Sequence, residues 1–173
     1  MPNHLSILGI VHTAISVLAL FAGAYCLFND GKILPSNSRG RQYIWLTVLT
    51  CLTSFPIMKT GHFTGAHGLG IIVLVLLIIG TYIKNITLFK KVGDYLQTVI
   101  MSATLFLSCI PAIVETLTRL PILHPIASGP NDPLIQKCLG VLALCFFAGI
   151  IYQIIKIKSV KKSTPLSGDI KLS

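Results

Sequence analysis

The sequence predicts an all-α integral membrane protein, a bundle of five transmembrane helices with the amino terminus outside and the carboxy terminus in the cytoplasm. Three observations support this prediction: the composition, the spacing of the apolar stretches and the distribution of positive charge. Of the 173 residues, 53% are hydrophobic and only 11% are charged, which leaves too little polar surface to cover a soluble globule of this size. A bilayer is therefore the expected solvent for most of the chain.

Five apolar stretches each approach the length that a helix needs to cross a bilayer. About 20 mostly apolar residues span the roughly 30 Å of hydrocarbon. The predicted spans are residues 5–28, 42–58, 66–89, 95–117 and 134–155. Because the connections are mostly short, consecutive helices should pack as antiparallel neighbours within one transmembrane domain, residues 1–158. Residues 159–173 are predicted to form a polar, lysine-rich cytoplasmic tail.

Positive charge lies mainly on one side of this five-span arrangement. Of the 14 lysine and arginine residues, all but Lys59, Arg119 and Lys137 fall on the side of the carboxy-terminal tail. Since cytoplasmic loops are enriched in lysine and arginine, the tail is predicted to lie inside the cell, in a multi-pass protein of the cytoplasmic membrane. The net charge of +9 does not indicate nucleic-acid binding, because the basic residues form no patch interleaved with aromatics.

This topology places all five histidines at or near the outer face of the predicted bundle. They are His4, His12, His62, His67 and His124. Imidazole gains or loses a proton near neutral pH more readily than other side chains, and it is a common metal ligand. The outer end of the bundle is therefore where the sequence predicts a functional site.

Glu115 is the one acidic residue inside a predicted span, and it belongs to the same outer half. A charge at the centre of a transmembrane helix costs about 2.5–3.5 kcal/mol on insertion scales, so Glu115 needs a partner. Arg119 lies one turn further along and offers one. Small and polar residues along spans one and four predict that His12 and Glu115 face the bundle interior. Arg119 and His124 are further polar candidates at this end.

Two kinds of cofactor site can be built from these residues. Two neutral imidazoles on different helices can ligate haem iron, and the candidate pair for haem b is His12 with His67. The alternative is a transition metal, since imidazole and carboxylate suit zinc, copper or iron. Its predicted ligands are His12, His62, His67 and Glu115. A simpler interpretation also remains open, in which interfacial water, headgroups and neighbouring carbonyls satisfy these histidines.

Three functions are compatible with this pattern. A small redox protein would use the haem or metal in electron transport, with quinone as a partner; it is favoured because histidines outnumber other reactive groups on this face. A proton-linked transporter would titrate Glu115 within a polar cavity shaped by His12 and Arg119. A non-catalytic accessory subunit would bind another membrane subunit through the same cluster. The sequence contains no P-loop, dinucleotide fingerprint, serine-nucleophile elbow or HExxH motif, so no enzyme class is predicted.

Part of the chain resembles a known group of proteins. Residues 41–77 contain the TSFP sequence at 53–56, a GHF turn at 61–63 and Ala66-His67 at the start of a long aliphatic helix. With a first span in which His12 precedes small residues, this segment resembles the uncharacterised membrane proteins grouped as domain of unknown function 2306. The resemblance covers about the first half of the chain. It implies a multi-helix membrane protein with membrane-embedded histidines, and it implies no reaction.

Overall fold

The computed structural model describes residues 7–57, 65–89, 91–121 and 124–163, and these ranges contain helices and no strands. The five α-helices are α1 (Ile7–Asp30), α2 (Ser38–Ser54), α3 (Gly65–Tyr82), α4 (Gly93–Arg119) and α5 (Pro133–Ser163). Two short 3₁₀ turns, Ile83–Asn85 and Thr87–Phe89, lie between α3 and α4. The predicted all-helical class is confirmed.

Four of the five helices are long and apolar enough to cross a membrane. These are α1, α3 with the first 3₁₀ turn, α4 and α5. The remaining helix, α2, has 17 residues, so it is about 25 Å long. It lies antiparallel to α1, because Arg39 near its start pairs with Asp30 at the end of α1, and Thr53 near its end contacts His12 near the start of α1.

The side-chain contacts define two ends of an antiparallel bundle. At one end α1, α3 and α5 begin and α2 and α4 finish; we call it the histidine end. At the opposite end, the lysine end, Lys84 and Lys161 both bind Asp94 in the first turn of α4. Further along the bundle, the ring of Phe106 on α4 stacks on that of Phe146 on α5, with centroids 4.7 Å apart. Together these contacts give α5 the opposite direction to α4.

Helix α4 lies at the centre of the bundle and packs against α1, α3 and α5. Its packing is close because small residues face it from two neighbours. A β-carbon on Gly80 of α3 would lie 2.8 Å from the Met101 sulfur, and one on Gly23 of α1 would lie 2.7 Å from a Leu105 methyl carbon. The buried apolar core is formed by Cys26, Ile33, Tyr43, Cys51, Val73, Leu77, Met101 and Leu105.

Two helices begin at polar caps that the chain supplies locally. Asn37 precedes α2, and its side-chain oxygen accepts a hydrogen bond from the Gly40 amide at 2.7 Å, so α2 begins four residues before the predicted span. Asp132 precedes α5 and accepts a hydrogen bond from the Leu134 amide at 2.9 Å. Pro133 then occupies the first helical position, where its missing amide hydrogen costs nothing.

The helices also differ from the predicted spans at the lysine end. The third span was predicted to reach residue 89, but α3 ends at Tyr82 and the chain continues in 3₁₀ turns. Conversely, α5 continues to Ser163, into the predicted tail. The physical reason is Lys161, which lies 2.9 Å from Asp94 and 4.8 Å from the centre of the Tyr95 ring. These contacts hold the last turns of α5 against α4.

Candidate functional site

His12 lies in the second turn of α1 at the histidine end, half-buried between helices. Its Nδ1 is 3.0 Å from the Thr53 hydroxyl oxygen on α2. Its Nε2 is 3.4 Å from the Ser16 hydroxyl oxygen, one turn further along α1. Both nitrogens of the imidazole therefore face a hydroxyl group, and one of these hydroxyls comes from a different helix.

The hydrogen bonds that Ser16 and Thr53 donate determine whether their hydroxyl oxygens act as donors or acceptors toward the His12 ring. Ser16 donates its proton to the His12 carbonyl at 2.7 Å, and Thr53 donates to the Leu49 carbonyl at 2.8 Å. Each hydroxyl oxygen is then left as an acceptor toward the imidazole. A protonated ring satisfies both acceptors with its two N–H groups, whereas a neutral ring requires one hydroxyl to rotate. The arrangement therefore couples the protonation of His12 to the hydroxyl of Thr53 or Ser16.

Glu115 and Arg119 form an ion pair on the last turns of α4, as the four-residue spacing predicts. Glu115 lies at the histidine end, as His12 does, and α4 packs against α1. The Glu115 side chain is 56% exposed and that of Arg119 is 26% exposed, so the carboxylate does not face the bundle interior as predicted. The pairing with Arg119 holds it along the helix surface.

His67 occupies a different environment. It lies in the first turn of α3, is 4% exposed, and stacks on the Phe55 ring with centroids 6.3 Å apart and planes 19° apart. Thr53, which contacts His12, and Phe55 are two residues apart, and two residues on a helix rotate about 200°. His12 and His67 therefore contact different sides of the chain at the end of α2, and α1 and α3 pack on each other less than either packs on α2.

The structure thus brings together only part of the predicted site. Glu115 pairs with Arg119 at the same end of the bundle as His12, whereas His67 stacks on Phe55, which follows α2. His124 is exposed in the connection after α4. Within the described part of the chain, no group of three or more histidine, cysteine, aspartate or glutamate side chains is close enough to share a metal ion. His4 and the predicted ligand His62 lie outside the described residues, so the haem and metal sites stay predictions.

Sequence reasoning did not identify the cross-helix partner of His12. Ser16 could be recognised, because it lies four residues along the same helix face. Thr53 is 41 positions away, and only the antiparallel packing of α2 on α1 brings it to the imidazole. The sequence offered one signal for this contact. Thr53 lies near the end of the second predicted span, and His12 lies near the start of the first, so antiparallel packing gives them a similar depth.

No protein-family model, curated protein or solved structure matches this chain. The resemblance to the domain of unknown function 2306 group therefore stays a prediction from the sequence. The function proposed below depends on the geometry of the site.

Proposed function

We propose that this protein is a small proton-linked membrane transporter in which His12 is the proton site and Glu115 and Arg119 set its charge. The observation that carries the proposal is the pair of hydroxyl acceptors at the two nitrogens of His12. An ionisable side chain within a membrane helix is costly, and such residues commonly belong to ion and proton pathways. In this site both ring nitrogens of the imidazole face a hydroxyl oxygen, so a protonated ring has an acceptor for each of its two N–H groups.

Other buried polar groups lie between this site and the lysine end. Near the middle of the bundle, the Tyr43 hydroxyl is 2.8 Å from that of Thr104. Further along, Ser102 donates a hydrogen bond to Gln153 at 3.0 Å, and Gln153 donates to the Gly31 carbonyl at 2.9 Å. Polar contacts of this kind hold membrane helices together. In the proposed function they also provide exchangeable hydrogen-bond partners between the two ends.

We also propose how the chain is oriented in the membrane. With α2 as the fifth span and the lysine end in the cytoplasm, the His12 site opens to the outside. The described residues place nine lysine and arginine residues at the lysine end, against Arg119 and Lys137 at the histidine end. This asymmetry favours the proposed orientation by the positive-inside rule, and it favours the cytoplasmic membrane as the location.

Proton flux into sealed vesicles tests this function. The purified protein is reconstituted into liposomes that contain a pH-sensitive dye, and a potassium diffusion potential drives protons inward. We expect flux above that of empty liposomes, and a fall to the empty level in His12→Gln and Glu115→Gln. Flux that survives both substitutions unchanged would refute the proposal.

Two residues at the same end provide matched controls. Asp132→Asn removes an exposed carboxylate but retains a side chain that can cap α5, and His124→Gln removes an exposed imidazole from the connection after α4. Neither residue belongs to the His12 site, so both variants should transport protons like the wild type. Equal losses in the controls and the site variants would show a general effect of charge at this end.

The same preparations test the haem prediction. An absorption spectrum and a metal analysis of the purified protein come first, followed by those of His12→Ala and His67→Ala. Because His12 contacts Thr53 and His67 stacks on Phe55, we expect no Soret band that depends on both. A Soret band that each substitution abolishes would show that both histidines bind one iron. It would also favour a redox function with quinone as a partner over proton-linked transport.

A further inference from the structure

Helix α2 presents two different faces. Its inner face is buried against the bundle and consists of Gly40, Tyr43, Thr47 and Cys51. The opposite face lines a shallow surface depression near the start of the helix. The residues of this depression are Ser38, Arg41, Gln42, Trp45 and Leu46. They recur at the three- and four-residue spacing of a single helix face, so the depression runs along the outside of α2.

The charge around this depression is strongly positive. The two carboxylates described at the lysine end are already paired: Asp30 binds Arg39, and Asp94 binds both Lys84 and Lys161. Among the described residues, no ion pair involves Arg41, whose side chain is exposed. The guanidinium of Arg41 is thus available for an anion, and its planar group of donors suits a phosphate.

Beyond Arg41, the side chains on the same face of α2 change from aromatic to aliphatic along the helix. Trp45, one turn further along, is 67% exposed, and tryptophan prefers the interface between headgroups and hydrocarbon. Leu49 and Leu52 continue the face and are also exposed. From the lysine end toward the histidine end, the face therefore presents a cation, an interfacial ring and aliphatic side chains over about 16 Å. A phospholipid has the complementary order of phosphate, glycerol backbone and acyl chain.

We propose that this face of α2, from Ser38 to Leu52, is a binding site for one anionic phospholipid. The lipid phosphate binds the Arg41 guanidinium and the Ser38 hydroxyl, and an acyl chain lies along Trp45, Leu49 and Leu52. The charge of the lysine end selects an anionic over a zwitterionic headgroup. This inference does not depend on proton transport, because no residue of the His12 site takes part in it.

Native mass spectrometry of the full chain in detergent tests the site. The protein is titrated separately with phosphatidylglycerol, phosphatidylcholine and inorganic phosphate, and the bound fraction is measured. We expect phosphatidylglycerol to bind more tightly than phosphatidylcholine, and Arg41→Gln to weaken its binding about fivefold. Arg41→Lys should retain part of the affinity, since it keeps the charge but loses the planar donors. Trp45→Ala should weaken lipid binding although it removes no charge.

Lys158→Gln is the control that separates a site from diffuse attraction. Lys158 is an exposed cation at the lysine end, but it belongs to α5 and does not line the depression. Its substitution should leave phosphatidylglycerol binding close to that of the wild type. Equal weakening in Arg41→Gln and Lys158→Gln would overturn the proposal in favour of a general surface charge. Inorganic phosphate that binds as tightly as phosphatidylglycerol would overturn it in favour of a free-anion site. Circular dichroism confirms that each variant retains its helix content.

Discussion

At the lysine end, one carboxylate joins three parts of the chain, whereas at the histidine end the described ion pair lies within a single helix. Asp94 on α4 binds Lys84, which follows α3, and Lys161 near the end of α5. Glu115 binds Arg119 one turn away on the same helix. The lysine end is therefore cross-linked between elements, while the Glu115–Arg119 pair can lose its charge without breaking an ion pair between helices.

Glycine packing shows the same contrast. At the lysine end, a β-carbon on Gly40 would lie 1.8 Å from the Leu34 carbonyl oxygen, which is not compatible with the observed backbone. At the histidine end, a β-carbon on Gly65 or Gly68 would meet no atom of the described residues within 4 Å. Gly40 therefore has a steric requirement at the start of α2 that Gly65 and Gly68 do not share within the described part of the chain.

The largest expected effect is that of Gly40→Ala. The added methyl group would collide with backbone at the start of α2, so we expect a loss of about 3 kcal/mol or more in unfolding free energy, or failure to fold. Gly68→Ala is the matched control at the histidine end and should gain up to about 1 kcal/mol, because alanine favours helix over glycine. Unfolding in mixed detergent micelles, followed by circular dichroism, measures both. Similar stability of the two variants would remove the contrast in packing.

A smaller loss of unfolding free energy is expected from Gln153→Leu. This substitution removes the buried amide that links Ser102 to the Gly31 carbonyl, and it should cost about 1–2 kcal/mol because two polar groups lose their partner. At the histidine end, Thr53→Val removes one hydrogen bond to His12 and should cost less than about 1 kcal/mol. The same unfolding measurement applies. A larger loss in Thr53→Val than in Gln153→Leu would show that the His12 contact stabilises the bundle more than the buried amide does.

The ion pairs at the two ends provide a third comparison, in which we expect smaller losses of stability. Asp94→Asn removes two partly exposed pairs that connect different elements and should cost about 1 kcal/mol after allowance for solvent screening. Glu115→Gln removes one pair within α4 and should cost less than about 0.5 kcal/mol. Hydrogen exchange should also rise in the last turns of α5 in Asp94→Asn. If exchange there stays unchanged, Lys161 does not hold α5 against α4 in the way proposed.

The smallest expected effect is that of low pH on the stability of the first turn of α5. The Ser128 amide, the Leu134 amide and the Ser128 hydroxyl donate hydrogen bonds to Asp132, and they hold the pKa of its carboxyl below the ordinary value. A pKa that is lower in the folded state gives stability that is present above the unfolded value of about 3.9 and is lost as the pH falls through the folded value. Below about pH 4, we therefore expect exchange of the α5 first-turn amides to increase.

Asp132→Asn distinguishes this titration from general acid damage. The variant has no carboxyl at this position, so its first-turn exchange should not change at the same pH. An identical acid transition in the variant would assign the effect to another group.

Some contacts of the site could be predicted from the sequence, and others could not. The Glu115–Arg119 pair could be predicted because both residues lie on one helix, where spacing alone decides contact. The pairing of His12 with His67 stays a prediction, because the relative positions of two imidazoles on different helices depend on how the helices pack. The continuation of α5 beyond residue 158 could not be predicted from its polar composition, because its stabilising partners, Asp94 and Tyr95, are distant in sequence.

The sequence by itself determined the helical class and the collection of most basic residues at one end, and it predicted five spans, of which four are helices of membrane length. These properties depend on the length, apolarity and order of continuous stretches, so they can be recognised from each stretch alone. Only the tertiary structure decided that Thr53 meets His12. That outcome depends on the rotation of each helix and on the position of α2 between α1 and α3, and neither is encoded in any single stretch of the chain.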